Sequence, residues 1–89
     1  LAWRIEIRRT AEKQIMALDR QVQARILRFL KERIASAADP RQAGKPLRGD
    51  RAGLWRYRVG DYRLLCEIQD RVLVVLVLAV AHRRDVYRG

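Results

Sequence analysis

Arginine recurs at alternate positions in the stretch GKPLRGDRAGLWRYRVGDYR, Gly44 to Arg63: Arg56 and Arg58 lie within one extended run, and Arg63 lies just past a Gly60-Asp61 pair. A guanidinium stays charged at any physiological pH and donates paired hydrogen bonds to oxyanions. Side chains at alternate strand positions point to one side, so Arg56 and Arg58 share one face while Trp55, Tyr57 and Val59 share the other. Gly60-Asp61 reads as a two-residue turn, which sets Val59 opposite Tyr62 and Arg58 opposite Arg63. Like charges facing each other destabilise a sheet by up to roughly 1 kcal/mol. Guanidinium groups gathered in one patch, flanked by Arg48 and Arg51, therefore predict an anion-binding surface. A solvated face on a basic protein is the plain alternative.

Composition bounds the reading. The chain has 89 residues, enough for one small domain over residues 1–89. Lys and Arg outnumber Asp and Glu by 20 to 10, for a formal net charge of +10. Such charge density favours a polyanionic partner, whether nucleic acid, an acidic protein or a membrane surface. The most apolar run, Val72 to Ala81, is too short for the roughly 20 residues of a membrane-spanning helix, and the opening residues carry no secretory signal pattern. That run reads as a buried central strand. The lone cysteine, Cys66, excludes an intramolecular disulfide and falls in a core strand, which fits a reduced cytoplasmic setting.

The elements that must hold the arginines follow from periodicity. Trp3, Ile5 and Ile7 alternate with charged residues as in a half-buried strand. Thr10 is positioned to cap a helix through Leu18, and Asp19 to cap a second to about Ser36, with Val22, Ile26, Phe29, Leu30 and Ile34 as its apolar stripe. Asp39-Pro40 ends that helix. Residues 41–53 read as a loop with at most a short edge strand near Leu47. Strands Leu54–Val59, Tyr62–Ile68 and Val72–Ala81 follow in meander order. The expected fold is α+β: a small antiparallel β-sheet with an N-terminal helical hairpin packed on one face, in the order β-α-α-β-β-β. The opposite face would carry the arginines, free to hold an extended strand of RNA or peptide.

Past the last strand lies Ala81-His82-Arg83-Arg84-Asp85-Val86-Tyr87-Arg88. A three-residue turn at Gln69-Asp70-Arg71 pairs Arg63 near Val77, sets Ala79 and Ala81 on the arginine face and brings Arg83 to its rim; a two-residue turn reverses that parity. Tyr87 can stack on a base or plug the sheet edge. His82 is the one side chain with a pKa suited to proton transfer near neutrality, although a tail histidine with no chemical role is the more ordinary reading. No His, Cys, Asp or Glu residues have metal-ligand spacing, so no metal or other cofactor is expected.

This strand, helical hairpin and meander, with GKPLRG at Gly44–Gly49, WRYRVGDYRLL at Trp55–Leu65 and HRRDVYR at His82–Arg88, resembles the RelE branch of the RelE/ParE toxin superfamily over nearly the whole chain. The resemblance implies a type II toxin-antitoxin toxin that enters the ribosomal A site and cuts mRNA by attack of a ribose 2′-OH on the adjacent phosphodiester, leaving a 2′,3′-cyclic phosphate. By position, Arg48 matches the family's LRG-loop arginine, Arg56 and Arg58 its paired basic strand residues, and Arg63 the arginine after the turn. Arg83 matches the basic residue often assigned as general acid, and Tyr87 the stacking tyrosine. Arg58, Arg63, Arg83 and Tyr87 are thus the implied catalytic set; Arg48, Arg56 and His82 are implied RNA contacts.

One departure bears on mechanism. The family places lysines at the positions of Arg56 and Arg58, and a guanidinium is a poor base. Catalysis would rest on guanidinium stabilisation of a pentacovalent phosphorane and on in-line placement of the 2′-OH by the ribosome. The resemblance also implies an acidic RelB-like antitoxin as partner, with operator DNA reached only through it. The rival within the fold is a ParE-like toxin that binds DNA gyrase and performs no chemistry.

Overall fold

The computed structural model describes residues 2–86. The alternation at Trp3, Ile5 and Ile7 becomes β1 (Arg4–Ile7), with Trp3 buried and both isoleucines packed on the core. The backbone N–H of Arg8 donates to the Val77 carbonyl at 2.9 Å, so the chain is held to the sheet there and must turn into helix at once. α1 therefore spans Arg9–Met16 with Arg8 at its N-cap position, and Thr10 lies inside it rather than capping it. α2 (Arg20–Phe29) starts after Asp19 as expected, but the Asp19 side chain makes no capping bond. The second helix is not α-helical to Ser36: Leu30–Ala35 widens into a π-helical turn. That turn keeps Leu30 and Ile34 on the buried stripe begun by Ile26.

Asp39 and Pro40 end the helical hairpin. The Asp39 carboxylate accepts from the Arg41 backbone N–H at 3.0 Å and opens a short 3₁₀ turn, Pro40–Ala43. The loop then yields β2 (Gly44–Pro46), a short edge strand slightly earlier than expected. The meander is β3 (Leu54–Val59), β4 (Tyr62–Gln69) and β5 (Val74–His82), and a terminal turn of helix, α3 (Arg83–Val86), follows.

Strand order is β1-β5-β4-β3-β2. The expectation of a wholly antiparallel sheet fails at one edge, where β1 pairs parallel with β5, Arg4 beside Val74 through Ile7 beside Val77. A hydrophobic pattern fixes which side of a strand is buried but not the direction of a partner far away in sequence. β5 is an interior strand, flanked by β1 and β4. Its apolar run needs a neighbour on both sides, and where β1 ends the Gln14 side chain of α1 accepts from the Val80 N–H at 2.7 Å.

The helical hairpin covers one face of the sheet. Ala11, Ile15, Ile26, Leu30 and Ile34 meet Tyr57, Val59, Leu64, Cys66, Val75, Val77 and Val80 there. One irregularity decides what the other face displays. Cys66 pairs with Val77 but Leu65 pairs with Ala79, so Leu78 is an extra, unpaired residue of β5. The bulge reverses the parity of the rest of the strand. Val80 therefore turns to the core and Ala79 and Ala81 to the open face.

Candidate nucleic-acid interface

The two-residue turn forms as expected: Gly60 takes φ +58, Val59 faces Tyr62 and Arg58 faces Arg63. Paired residues share a face, so Arg58 and Arg63 stand side by side on the side away from the helices. Two residues along, Arg56 pairs with Leu65 and, on its other side, with Lys45 of β2. Arg56, Arg58, Arg63 and Lys45 line a single cleft of about 330 Å³. The structure thus gathers the strand arginines and adds Lys45, which sequence reasoning passed over. Its signal was the GKP stretch, an edge strand too short to show a period.

Arg63 is not the exposed cation that a surface strand suggests. It is only 7 % exposed, and its Nη1 donates to the carbonyls of Gly60 at 3.1 Å and Tyr62 at 3.0 Å. The guanidinium folds back over its own turn, satisfies two carbonyls and is held in one orientation. Arg58 remains exposed at the mouth.

The register at β5 also differs from expectation. Arg63 pairs with Ala81, not near Val77, because a 3₁₀ turn at Asp70–Val72 and Leu73 at φ +54 lengthen the connection and the Leu78 bulge adds one residue. Parity survives, and Ala79 and Ala81 do lie on the arginine face. With Leu47, Leu64 and Leu65 they line a second cavity of about 160 Å³, to which Arg51, Arg56, Arg63 and Asp85 also contribute.

The remaining candidates are dispersed. Arg83 sits at the rim: its backbone N–H donates to the Asp61 carbonyl at 2.7 Å, and its side chain, 59 % exposed, lies 3.8 Å from the Asp61 carboxylate. His82 pairs with Tyr62 and packs edge-on against that ring at 5.4 Å. Its strand parity is that of Val80, so it points away from the arginines, and its Nδ1 accepts from the Arg84 N–H. Arg48 is exposed beside the short turn Gly49–Arg51 and lines neither cavity. Tyr87 lies outside the described residues.

Groups on the helix side are set up for structure. Tyr57 is fully buried under Phe29, its hydroxyl donates to the Pro40 carbonyl at 2.8 Å, and burial pushes its pKa up. Burial pushes the Cys66 thiol up to about 12, which leaves it protonated and unreactive. At the far end of the sheet, Arg41 bonds the carboxylates of Asp70 and Asp39 and lies over Trp55; the Asp70 hydrogen bond leads in raising its pKa. Among the described residues no three His, Cys, Asp or Glu side chains converge, and no helix is long and apolar enough to cross a membrane.

The sheet thus carries helices on one side and a cluster of cations on the other. The comparisons give it a class. The family described as the ParE toxin of type II toxin-antitoxin systems matches residues 5–87. The toxin RelG of Mycobacterium tuberculosis is 37% identical over 79 residues, covering 89% of this chain and 88% of that one. The toxin RelE of the same organism is 31% identical over 86 residues, covering 97% and 87%. A chain of the M. tuberculosis RelBE2 toxin-antitoxin complex superposes with a TM-score of 0.86 at 31% identity, over 93% of this chain and 100% of that one. The intact Escherichia coli RelBE complex gives 0.73 at 27% identity, over 91% and 96%. The protein belongs to the RelE/ParE superfamily of type II toxin-antitoxin toxins, and within it is RelE-like.

Proposed function

We propose that this toxin is a ribosome-dependent endoribonuclease that cuts mRNA in the A site and so arrests translation. The supporting observation is the single cleft that holds Lys45, Arg56, Arg58 and Arg63 on the face left open by the helices. An RNA backbone laid along it would meet Arg58 and Lys45 first, as exposed phosphate contacts. Arg63 is fixed by the Gly60 and Tyr62 carbonyls before substrate arrives, so no reorganisation is needed as charge builds on the phosphorane. The 2′-OH gives up its proton to water and attacks phosphorus, the bond to the 5′-oxygen breaks, that oxygen takes a proton from water, and the product ends in a 2′,3′-cyclic phosphate. Arg83 at the rim would offset charge on the departing oxygen. His82, turned to the other face, takes no part.

The ribosome supplies in-line geometry, which free RNA rarely holds. Lys45 is the one side chain of the cleft that belongs to a type able to give up and regain a proton, whereas its arginine neighbours act only as fixed charges. An acidic, RelB-like antitoxin would cover the cationic face by charge complementarity when the toxin is held inactive; solved relatives are toxin-antitoxin complexes.

The test is cleavage of a defined message with and without ribosomes, mapped by primer extension. Cuts within codons that require ribosomes and vanish with Arg58→Ala are expected. Intact message together with DNA breakage in expressing cells would instead assign the chain to the gyrase-binding branch.

A further inference from the structure

Arg83 opens the four-residue helical turn α3, which is too short to fix its own orientation. What holds it is one residue of the β3–β4 turn. The Arg83 backbone N–H donates to the Asp61 carbonyl at 2.7 Å, and its Nε stands 3.8 Å from Asp61 Oδ1. Among the described residues the Arg83 side chain makes no other ion pair or hydrogen bond.

Asp61 is itself held on both sides. Arg63 Nη1 donates to the carbonyls of its two neighbours, Gly60 and Tyr62. From the helical layer the exposed Arg25 of α2 lies over Gly60, so close that a Cβ added there would stand 2.8 Å from its Nη1. The turn is therefore bound to the sheet by one guanidinium and overlain from α2 by another. It forms a rigid mount for a side chain that would otherwise sweep through solvent.

An exposed pair at 3.8 Å adds little to stability, since water screens it and two side chains lose freedom in forming it. Its consequence is placement. A carboxylate set among Arg25, Arg63 and Arg83 draws the Arg83 guanidinium to the tip of the hairpin, against the repulsion of its cationic neighbours. We propose that Asp61 is a positioning residue, which sets Arg83 at the rim where the departing 5′-oxygen gathers charge. The inference rests on the nuclease reading above and deepens it. Asp61 touches no substrate; it acts through Arg83 by the geometry it imposes.

The test is single-turnover cutting of a defined message on programmed ribosomes over a range of toxin concentrations, which separates binding from the chemical step. Wild type, Asp61→Asn, Arg83→Ala and the double variant are compared. Asp61→Asn keeps a turn-forming side chain of the same shape and the backbone bond, and removes only the charge. It should slow the maximal rate by about tenfold, as a misplaced group does, without raising the concentration that gives half that rate. Arg83→Ala should slow cutting at least as much, and Asp61→Asn added to it should change nothing further, because no guanidinium remains to be placed. Cutting by Asp61→Asn at the wild-type rate would overturn the role. So would losses that multiply in the double variant, or a rate loss that tracks a lowered urea midpoint, the mark of a structural residue. No cutting of any message by wild type would sink the nuclease reading itself, and this role with it.

Discussion

Arg58 and Arg63 face each other across the β3–β4 hairpin, yet one is exposed and the other is buried with its Nη1 on the carbonyls of Gly60 and Tyr62. The pair relieves its mutual repulsion by division of labour: one guanidinium is satisfied by the turn, and the other reaches into solvent.

Their alanine variants should therefore part company. Arg58→Ala should change stability by less than about 0.5 kcal/mol, the usual effect at an exposed site. Arg63→Ala strips two carbonyls of their donor and should cost about 1–3 kcal/mol. Both should abolish toxicity on induction. Urea titration of the purified variants separates them; equal midpoints would show that the turn carbonyls do not need Arg63.

Binding to single-stranded RNA should weaken steeply with salt, since each phosphate neutralised contributes about −0.7 to the slope of log K against log salt. Replacing both Arg56 and Arg58 by Ala should lower the slope's magnitude by about 1.4. Fluorescence anisotropy on a short labelled RNA over a range of salt concentrations measures this directly. An unchanged slope would place the RNA elsewhere.

Tyr57 ties the sheet to the end of the helical hairpin through the Pro40 carbonyl. Tyr57→Phe keeps the ring against Phe29 but leaves that carbonyl unpaired in the core, a loss of about 1–2 kcal/mol. The salt slope for RNA should not move, because the ring lies on the opposite side of the sheet from the arginines.

Alkali should unfold the protein through two core groups. The Cys66 thiol, raised to about 12 in the fold, ionises in the unfolded chain near its ordinary value of about 8.5. Above that pH the folded state holds a proton that the unfolded state has lost, so stability is intact below about pH 8 and falls as pH climbs toward 12. Tyr57, also raised, adds its share from about pH 10 upward. The thiol's slope cannot exceed about 1.4 kcal/mol per pH unit. Urea midpoints at successive pH values should show this decline, and Cys66→Ala should delay its onset to the tyrosine range.

Local rules made the hairpin legible in the sequence. A two-residue turn fixes register, so Gly60-Asp61 sufficed to set Arg58 against Arg63 and to place Tyr57 and Val59 inside. Ile26, Leu30 and Ile34 gave the buried stripe, although nothing in their spacing distinguishes an α turn from the π turn that carries the last two. Features that depend on distant partners were hidden. The parallel pairing of β1 with β5 joins segments about seventy residues apart. The fold-back of Arg63 depends on carbonyls that the sequence does not display, and Lys45 entered the cleft only because the edge strand seats it beside Arg56. His82 pointed the other way once the bulge had set the parity of the last strand.

Leu78 makes the open face of the sheet depend on strand register as well as on residue identity. Were Leu78 paired regularly opposite Leu65, every arginine would stay in place and branched aliphatics would lie where the alanines now do, trading a receptive floor for a convex one. A one-residue slip in pairing thus fills or clears the surface beside Arg63 with the charged residues untouched.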